Sequence, residues 1–177
     1  GRRWWSPEAN DADGAAVFKK ILIANRGEIA VRIAAACRKL GIVAVTIHSE
    51  ADAQAPHALQ ADASVCVGPA PVPQSYLNVD AILKAAADLG ADAVHPGYGL
   101  LSENAGFARR CAEAGLTFIG PKPELIQAMG SKTEARDTMG AHGLPLVPGS
   151  KGAAKDLDDA RRIADEMGWP VMLKAAA

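Results

Sequence analysis

The fold is decided by residues 21–41, which read ILIANRGEIAVRIAAACRKLG. The first four form a continuous apolar run, which is typical of a strand buried on both faces of a parallel sheet. The run ends at Asn25-Arg26-Gly27, and apolar residues then recur at the spacing of one helical stripe: Ile29, Ile33, Cys37 and Leu40. Gly41 is placed to close this helix in the left-handed conformation. The stretch therefore predicts a buried strand that leads directly into an amphipathic helix.

The same alternation of strand and helix patterns continues as far as residue 119. Short apolar runs predict four further strands, at residues 43–47, 64–67, 93–95 and 117–119. One helix is predicted from Asn78 to Gly90, and another, containing Phe107 and Cys111, ends at Gly115. Strands that alternate with helices are the signature of α/β architecture, so we expect a parallel sheet with helices packed on its faces.

Beyond Lys122 the pattern becomes mainly helical. Helices are predicted at residues 124–129 and 131–142, and Pro145 and Pro148 then mark a connector. Asp156 is a good N-cap for a further helix that Gly168 ends. A last strand is predicted at residues 170–174.

This change of pattern suggests a domain boundary near Gly130-Ser131. Residues 1–17 have no hydrophobic period and are expected to be a flexible tail. The first domain is then predicted at residues 18–130, and the beginning of a second at residues 131–177.

The composition excludes several classes of protein. The chain of 177 residues has a formal net charge of −1, so no overall positive field draws it to nucleic acid. No run approaches the roughly 18 apolar residues of a membrane span. Cys37, Cys66 and Cys111 are widely spaced, which fits thiols in a reducing compartment better than disulfides or a zinc site. We therefore expect a cytoplasmic protein that has no metal site and binds neither nucleic acid nor membranes.

The first turn, Asn25-Arg26-Gly27, invites comparison with a dinucleotide-binding site. Acidic Glu50 and Asp52 follow about 20 residues later, where such sites hold a ribose. The glycine pattern is incomplete, however, and Glu28 puts a carboxylate where a phosphate would lie. We therefore expect a structural turn here.

The loop His95-Pro96-Gly97-Tyr98-Gly99 directly follows a predicted strand. Two glycines around a tyrosine make a tight loop whose amides can face a ligand. The alternative is a rigid turn with Tyr98 packed on the next helix, and the spacing alone does not decide between them. His48 and His57 show no partner pattern that suggests catalysis, so we expect them to be structural histidines with satisfied hydrogen bonds.

Two lysines end apolar runs, Lys122 after Phe118-Ile119-Gly120-Pro121 and Lys174 after residues 170–173. Ligands of open α/β sheets gather beyond the carboxyl ends of the strands, where a lysine offers a compact positive charge to phosphate. The two predicted strand ends therefore suggest a nucleotide site. The alternative for Lys174 is a strand lysine that extends into solvent.

Several motifs together closely resemble the amino-terminal part of biotin carboxylases. The resemblance runs from about Phe18 to the end of the chain and rests on these stretches: 23–30, 68–71, 75–77, 95–104, 118–122, 129–132, 147–149 and 170–175. It implies an ATP-grasp ligase fold with a Rossmann-like first domain that binds no dinucleotide, followed by the start of the ATP-grasp domain.

The resemblance also implies a reaction and its ligands. In biotin carboxylases ATP and bicarbonate form carboxyphosphate with magnesium, and the carboxyl group passes to biotin on a carrier protein or domain. Lys122 and Lys174 match ATP-contact positions of the family, so the resemblance implies that both hold phosphate oxygens. It implies no catalytic residue and no magnesium ligand within this chain.

We therefore expect an amino-terminal fragment of the biotin carboxylase component of an acyl-CoA carboxylase, ending just before the family's glycine-rich lid and inactive alone. A carboxyltransferase would be a further partner of the complete enzyme. Bacterial members often pair through the early helix, which makes Arg32 and Lys39 candidates for a homodimer face. The alternatives are a noncatalytic Rossmann-like module for assembly or binding, and another ATP-grasp ligase such as a carbamoyl phosphate synthetase.

Overall fold

The structure is a computed structural model, and it describes four segments of the chain: residues 18–130, 132–147, 149–150 and 152–174. The tail predicted at residues 1–17 lies outside the described residues. So do Ser131, at the predicted start of a helix, and Pro148 in the predicted connector.

The chain divides into two compact units between Pro123 and Glu124. The predicted start of an ATP-grasp domain near residue 131 stays a prediction.

The first unit contains a five-stranded parallel sheet, which confirms the predicted fold class. Its strands lie in the order β3-β2-β1-β4-β5. All four neighbouring pairs are parallel, and Leu22 of the first strand lies between Val45 of the second and Val94 of the fourth. The strands are β1 (Lys20–Ile23), β2 (Val43–His48), β3 (Ala63–Cys66), β4 (Ala93–His95) and β5 (Thr117–Phe118).

Helices connect these strands. They are α1 (Gly27–Lys39), α2 (Pro56–Leu59), α3 (Val79–Asp88) and α4 (Ala105–Glu113). Short 3-10 turns lie at Glu50–Asp52 and Val72–Gln74. The Asn78 side chain caps α3 by accepting a hydrogen bond from the Ala81 N–H, as the sequence predicts.

Successive residues of β1 point to opposite faces of the sheet and enter two separate cores. Ile21 and Ile23 belong to the cluster that contains α1, whereas Leu22 belongs to the cluster that contains α3 and α4. Because both faces are covered, every position of the strand benefits from an apolar side chain. This explains the continuous apolar run from which the fold was predicted.

The apolar stripe predicted for α1 is right for three of its four residues. Ile29, Ile33 and Cys37 are buried, but Leu40 is 59% exposed. The helix ends at Lys39 and Leu40 is its C-cap, so the backbone no longer holds that side chain on the stripe. Gly41 has a φ of 72°, which confirms the left-handed helix end.

The second unit is helical in its described part. Its helices are α6 (Lys132–Ala141) and α7 (Leu157–Met167), and α5 (Pro123–Gly130) begins one residue before the unit does. The Asp156 side chain caps α7 by accepting a hydrogen bond from the Asp159 N–H, as predicted.

The strand predicted at residues 170–174 is wrong. This segment has no regular secondary structure, and Met172 and Leu173 are each 79% exposed. A strand needs a neighbour that pairs with its backbone, and no strand occurs in the described residues of this unit. The apolar run alone therefore gave a false indication of a strand.

Candidate functional site at the carboxyl ends of β1 and β4

The strand order reverses direction between β1 and β4. The chain builds outward from β1 to β2 and β3 on one side, and then returns to place β4 and β5 on the other. Open α/β sheets bind ligands in the crevice beyond the carboxyl ends of the strands at such a switch point. In this unit the turn after β1, Asn25–Gly27, and the loop after β4, Pro96–Leu100, lie at this edge of the sheet.

The side chain of Asn25 joins these two segments. Its Nδ2 donates hydrogen bonds to the Pro96 carbonyl at 2.7 Å and to the Tyr98 carbonyl at 2.9 Å. Its Oδ1 accepts a hydrogen bond from the Arg26 N–H at 2.8 Å. Asn25 is only 4% exposed, so these bonds form away from competing water.

The loop after β4 contains three residues with positive φ, namely Gly97 at 66°, Gly99 at 65° and Leu100 at 45°. The Gly97 N–H donates a hydrogen bond to His95 Nδ1 at 3.0 Å. Burial lowers the pKa of His95, which favours the neutral ring that this bond requires.

The side chain of Tyr98 extends from this loop to the first turn of α1. The residue is 59% exposed, which does not fit the alternative of a ring packed on the following helix. The Tyr98 hydroxyl lies 3.5 Å from Glu28 Oε2, in the first turn of α1. Tyr98 is therefore accessible to solvent beside the start of α1.

Asp52 lies in a network of hydrogen bonds with the residues around it. Its Oδ2 accepts hydrogen bonds from the Tyr76 hydroxyl at 2.7 Å and the Ser49 hydroxyl at 3.1 Å, and Arg26 Nη1 lies 3.4 Å away. These partners, Tyr76 first, lower the pKa of Asp52. The Arg26 guanidinium also lies 5.3 Å from the centre of the Tyr76 ring.

Tyr76 is fully buried, and burial is the main cause that raises its pKa to about 12. The neutral phenol therefore remains a hydrogen-bond donor to Asp52 throughout the ordinary pH range. This network gives Asp52 a structural partner in place of the ribose that a dinucleotide site would offer.

His57 differs from its prediction as a satisfied structural histidine. It is only 2% exposed, and within the described residues neither ring nitrogen has a hydrogen-bond partner. Burial is the main cause that lowers the pKa of His57. The fully buried position has no clear signal in the sequence, because α2 is only four residues long.

The two predicted phosphate ligands lie in different units. Lys122 follows β5 in the first unit and is exposed. Lys174 is also exposed, but it follows no strand in the described part of the second unit. Their joint contact with a phosphate stays a prediction.

The described residues show neither a candidate membrane span nor a metal-binding cluster. None of their helices is long and apolar enough to cross a membrane. None of their His, Cys, Asp and Glu side chains form a group of three or more that could hold a metal ion.

Two family models match the chain in succession. The model of the biotin carboxylase N-terminal domain matches residues 17–126. The chain belongs to the biotin carboxylase family. Residues 131–177 match the model of the ATP-binding domain of the carbamoyl-phosphate synthase L chain. The first match distinguishes this biotin carboxylase sequence from the alternative of a carbamoyl phosphate synthetase.

Relatives and solved structures agree with this assignment. The biotin carboxylase of Halalkalibacterium halodurans is 56% identical over 91% of the chain and 36% of the relative. The mitochondrial propionyl-CoA carboxylase alpha chain of Rattus norvegicus is 55% identical over 90% of the chain and 22% of the relative. The chain thus spans about a third or less of these relatives.

A structural neighbour is the biotin carboxylase domain dimer of Hydrogenobacter thermophilus 2-oxoglutarate carboxylase, in complex with MgADP, ADP and bicarbonate. It has a TM-score of 0.83 and 49% identity, covering 90% of this chain and 35% of the neighbour. The Campylobacter jejuni biotin carboxylase in complex with β-γ-ATP has a TM-score of 0.81 and 45% identity, covering 86% and 34%.

Asn25 is the site residue that the sequence analysis missed. The sequence pattern predicts a structural turn at Asn25-Arg26-Gly27 and does not connect it with the tyrosine loop. The available signal was a short amide side chain directly after a buried strand. The hydrogen-bond partners of Asn25, however, are carbonyls that lie 71 and 73 residues away in the sequence. A local sequence pattern cannot predict contacts over that separation.

Proposed function

We propose that this chain is the amino-terminal part of an ATP-dependent biotin carboxylase. The complete enzyme would use ATP and bicarbonate to form carboxyphosphate and then transfer the carboxyl group to biotin. The observation that carries the proposal is the match of residues 17–126 to the biotin carboxylase N-terminal domain. Solved neighbours in complex with ADP, magnesium and bicarbonate support the same ligands.

Lys122 and Lys174 are proposed to hold phosphate oxygens of ATP. Both are exposed and therefore accessible to a ligand. A charge pair at 4 Å is worth about 4 kcal/mol at an effective dielectric of 20, before the cost of desolvation. The role of the lysines would be to offset the negative charge that develops during phosphoryl transfer. The resemblance implies that the magnesium ligands lie outside this chain.

The enzyme's partners follow from the proposed reaction. Biotin would arrive on a carrier protein or domain, and a carboxyltransferase would pass the carboxyl group to an acyl-CoA. The relationship to propionyl-CoA carboxylase alpha chains supports this assignment.

A homodimer is proposed because one solved neighbour is a dimer of biotin carboxylase domains. Lys39 is exposed on α1, and Arg32 of the same helix lies 3.3 Å from Glu28 with both side chains more than 60% exposed. Both residues are thus available to a partner. A reducing compartment such as the cytoplasm is proposed from the three free cysteines, Cys37, Cys66 and Cys111.

The isolated chain is proposed to be inactive, since it spans 36% of the length of a bacterial relative. The test compares the isolated chain with the complete biotin carboxylase that carries this sequence. The complete enzyme should hydrolyse ATP only when bicarbonate is present, and the isolated chain should show no such hydrolysis and little heat of ATP binding. An inactive complete enzyme would refute the proposed reaction and favour the noncatalytic module. Activity of the isolated chain would refute the proposed inactivity alone.

The lysines are tested in the complete enzyme by Lys122→Ala and Lys174→Ala. Each should raise the KM for ATP by at least about 10-fold, which corresponds to about 1.4 kcal/mol. Lys84→Ala is the matched control, because Lys84 is an exposed lysine of α3 paired with Asp88 at 2.6 Å. Lys132→Ala tests the neighbouring motif at residues 129–132. A loss seen only for Lys132→Ala would refute the assignment to Lys122 and Lys174.

A further inference from the structure

The first unit contains a cavity of about 540 Å³. It lies between α1 and the segment from Asp52 to His57, which leads from the 3-10 turn at Glu50–Asp52 into α2. The cavity shares Arg26 and Gly27 with the turn after β1, and its lining includes no residue of the loop after β4. Small-molecule sites in proteins have volumes of roughly 300–1,000 Å³, so this cavity has the size of a ligand site.

The wall of the cavity is mainly apolar. Val31 and Ala35 contribute from α1, and Ala55 and Pro56 contribute from the opposite side. Val31 and Ala35 are four residues apart, so they lie on one face of the helix, beside the stripe that enters the core. Both are half-buried. The cavity therefore offers an apolar surface to the body of a ligand.

The charged groups at the cavity compensate one another in pairs. Arg26 Nη1 lies 3.4 Å from Asp52 Oδ2, and Arg32 Nε lies 3.3 Å from Glu28 Oε1. These two cations and two anions leave the lining without net charge. Since a charged ligand would bring a charge without a counter-ion into a mainly apolar cavity, the lining favours an uncharged ligand.

His57 supplies a polar group to the same cavity. The residue is 2% exposed, and within the described residues neither ring nitrogen has a hydrogen-bond partner. Buried polar groups are nearly always hydrogen-bonded, so an unpartnered ring beside a cavity indicates that a polar group of a ligand enters it. A neutral imidazole has one donor and one acceptor nitrogen, and a hydroxyl group can bond to either.

We propose that the cavity between α1 and α2 binds an uncharged, mainly apolar small molecule that carries one hydroxyl group. The apolar wall contacts the body of this ligand, and the hydroxyl group forms a hydrogen bond with His57. The site goes beyond the proposed carboxylase reaction and does not depend on it, because it requires neither ATP nor bicarbonate.

The test uses 2-naphthol as the probe, an uncharged aromatic alcohol at pH 7.5. Titration of the 177-residue chain followed by ¹H–¹⁵N NMR should shift the amide signals of Val31, Ala35 and Ala55. The matched probe is 2-naphthoate, which has the same rings and a carboxylate in place of the hydroxyl group. It should bind at least about 10-fold more weakly, because its charge has no counter-ion in the cavity.

Three variants of the complete enzyme locate the site by calorimetric titration with 2-naphthol. Ala35→Trp should raise the Kd at least about 10-fold, because the indole ring takes up space that the ligand needs. Ala36→Trp is the matched control and should leave the Kd within about two-fold, because Ala36 is exposed on the same helix and does not line the cavity. His57→Phe keeps an aromatic ring without its nitrogens and should raise the Kd at least about five-fold.

Each part of the proposal can fail separately. Equal affinities for 2-naphthol and 2-naphthoate would refute the uncharged ligand, and an unchanged Kd in His57→Phe would refute the hydrogen bond with His57. Signal shifts confined to other residues, or equal effects of Ala35→Trp and Ala36→Trp, would refute the site. The NMR titration of the unmodified chain still decides this if Ala35→Trp does not fold. Binding to the 177-residue chain but not to the complete enzyme would mean that another part of the enzyme or a second copy fills the cavity, and would overturn the ligand site.

Discussion

The two units of this chain differ in how much of their apolar surface they bury. Nearly all buried apolar residues that the structure describes belong to the first unit, where helices cover both faces of the sheet. In the second unit the described buried apolar residues are Ile126 and Ala164. Large apolar side chains there are instead exposed, among them Val147, Trp169, Met172 and Leu173. Since burial of apolar area drives folding, the first unit gains more stability from its own core than the described part of the second unit does.

The largest expected effect is that of truncating the core of the first unit. Phe107 is 1% exposed and packs edge to face on Phe118, with ring centres 5.9 Å apart. Phe107→Ala should therefore lower the free energy of unfolding by about 3–5 kcal/mol. Leu173→Ala in the second unit should change it by less than about 0.5 kcal/mol, because that side chain is 79% exposed.

Urea unfolding followed by far-UV circular dichroism measures both variants. Similar losses for Phe107→Ala and Leu173→Ala would show that the second unit contributes a core of its own. That result would contradict the difference between the units described above.

A smaller effect is expected from adding one methyl group to a glycine in each unit. Gly68 and Gly152 have φ values of 146° and 124°, so alanine is strained at both. A Cβ at Gly68 would collide with the Gln74 carbonyl oxygen, whereas one at Gly152 would meet nothing within 4 Å. Gly68→Ala should cost more than about 2 kcal/mol, and Gly152→Ala only the backbone cost of about 1 kcal/mol.

Thermal unfolding of the two glycine variants separates the collision from the backbone strain. A Gly152→Ala variant as unstable as Gly68→Ala would mean that residue 152 is as tightly packed as the first unit.

The sequence predicted the first unit better than the second for a physical reason. In the first unit the central strand β1 is buried on both faces, and this burial explains the continuous apolar run at residues 21–24. In the second unit the run at residues 170–173 is also apolar, but it has no strand to pair with in the described residues and is irregular. A local apolar run is a good indication that a segment is buried, but a poor indication that it pairs as a strand.

The candidate site was predictable in part. Its position beyond the strand ends, and the tyrosine loop itself, follow from local patterns of glycine and strand residues. The contacts of Asn25 do not, because one side chain bonds to carbonyls more than 70 residues away. The exposed Leu40 was mispredicted because it is the C-cap of α1, where the spacing of the helical stripe no longer applies.

The first unit should also respond to mild acid. Burial lowers the pKa of His57 and His95 below the ordinary value of 6.5. As the pH falls through 6.5 the unfolded chain binds protons that the folded unit does not, so stability is lost between pH 6.5 and the folded-state pKa values. The loss is at most about 1.4 kcal/mol per pH unit for each histidine.

Urea midpoints at pH 7.5 and 5.5 measure this loss, and His57→Leu should reduce it. His142→Gln is the control, because His142 is exposed at the end of α6 in the second unit. Asp52 has a lowered pKa and contributes stability that is lost only below its ordinary value of 3.8, outside this window. An acid response that is unchanged in His57→Leu would exclude the buried histidine as its source.

The smallest effect compares two helix caps. Asn78 Oδ1 accepts from the Ala81 N–H at 3.1 Å in the first unit, and Asp156 Oδ1 accepts from the Asp159 N–H at 2.8 Å in the second. Replacing either with alanine should cost its helix about 1 kcal/mol.

In the first unit α3 carries the fully buried Ile82, so Asn78→Ala should lower the stability of the whole unit. In the second, α7 has one buried residue, Ala164, so Asp156→Ala should instead accelerate hydrogen exchange of α7 alone. Global destabilisation by Asp156→Ala would show that α7 unfolds together with the first unit, and the two units would then share one cooperative core.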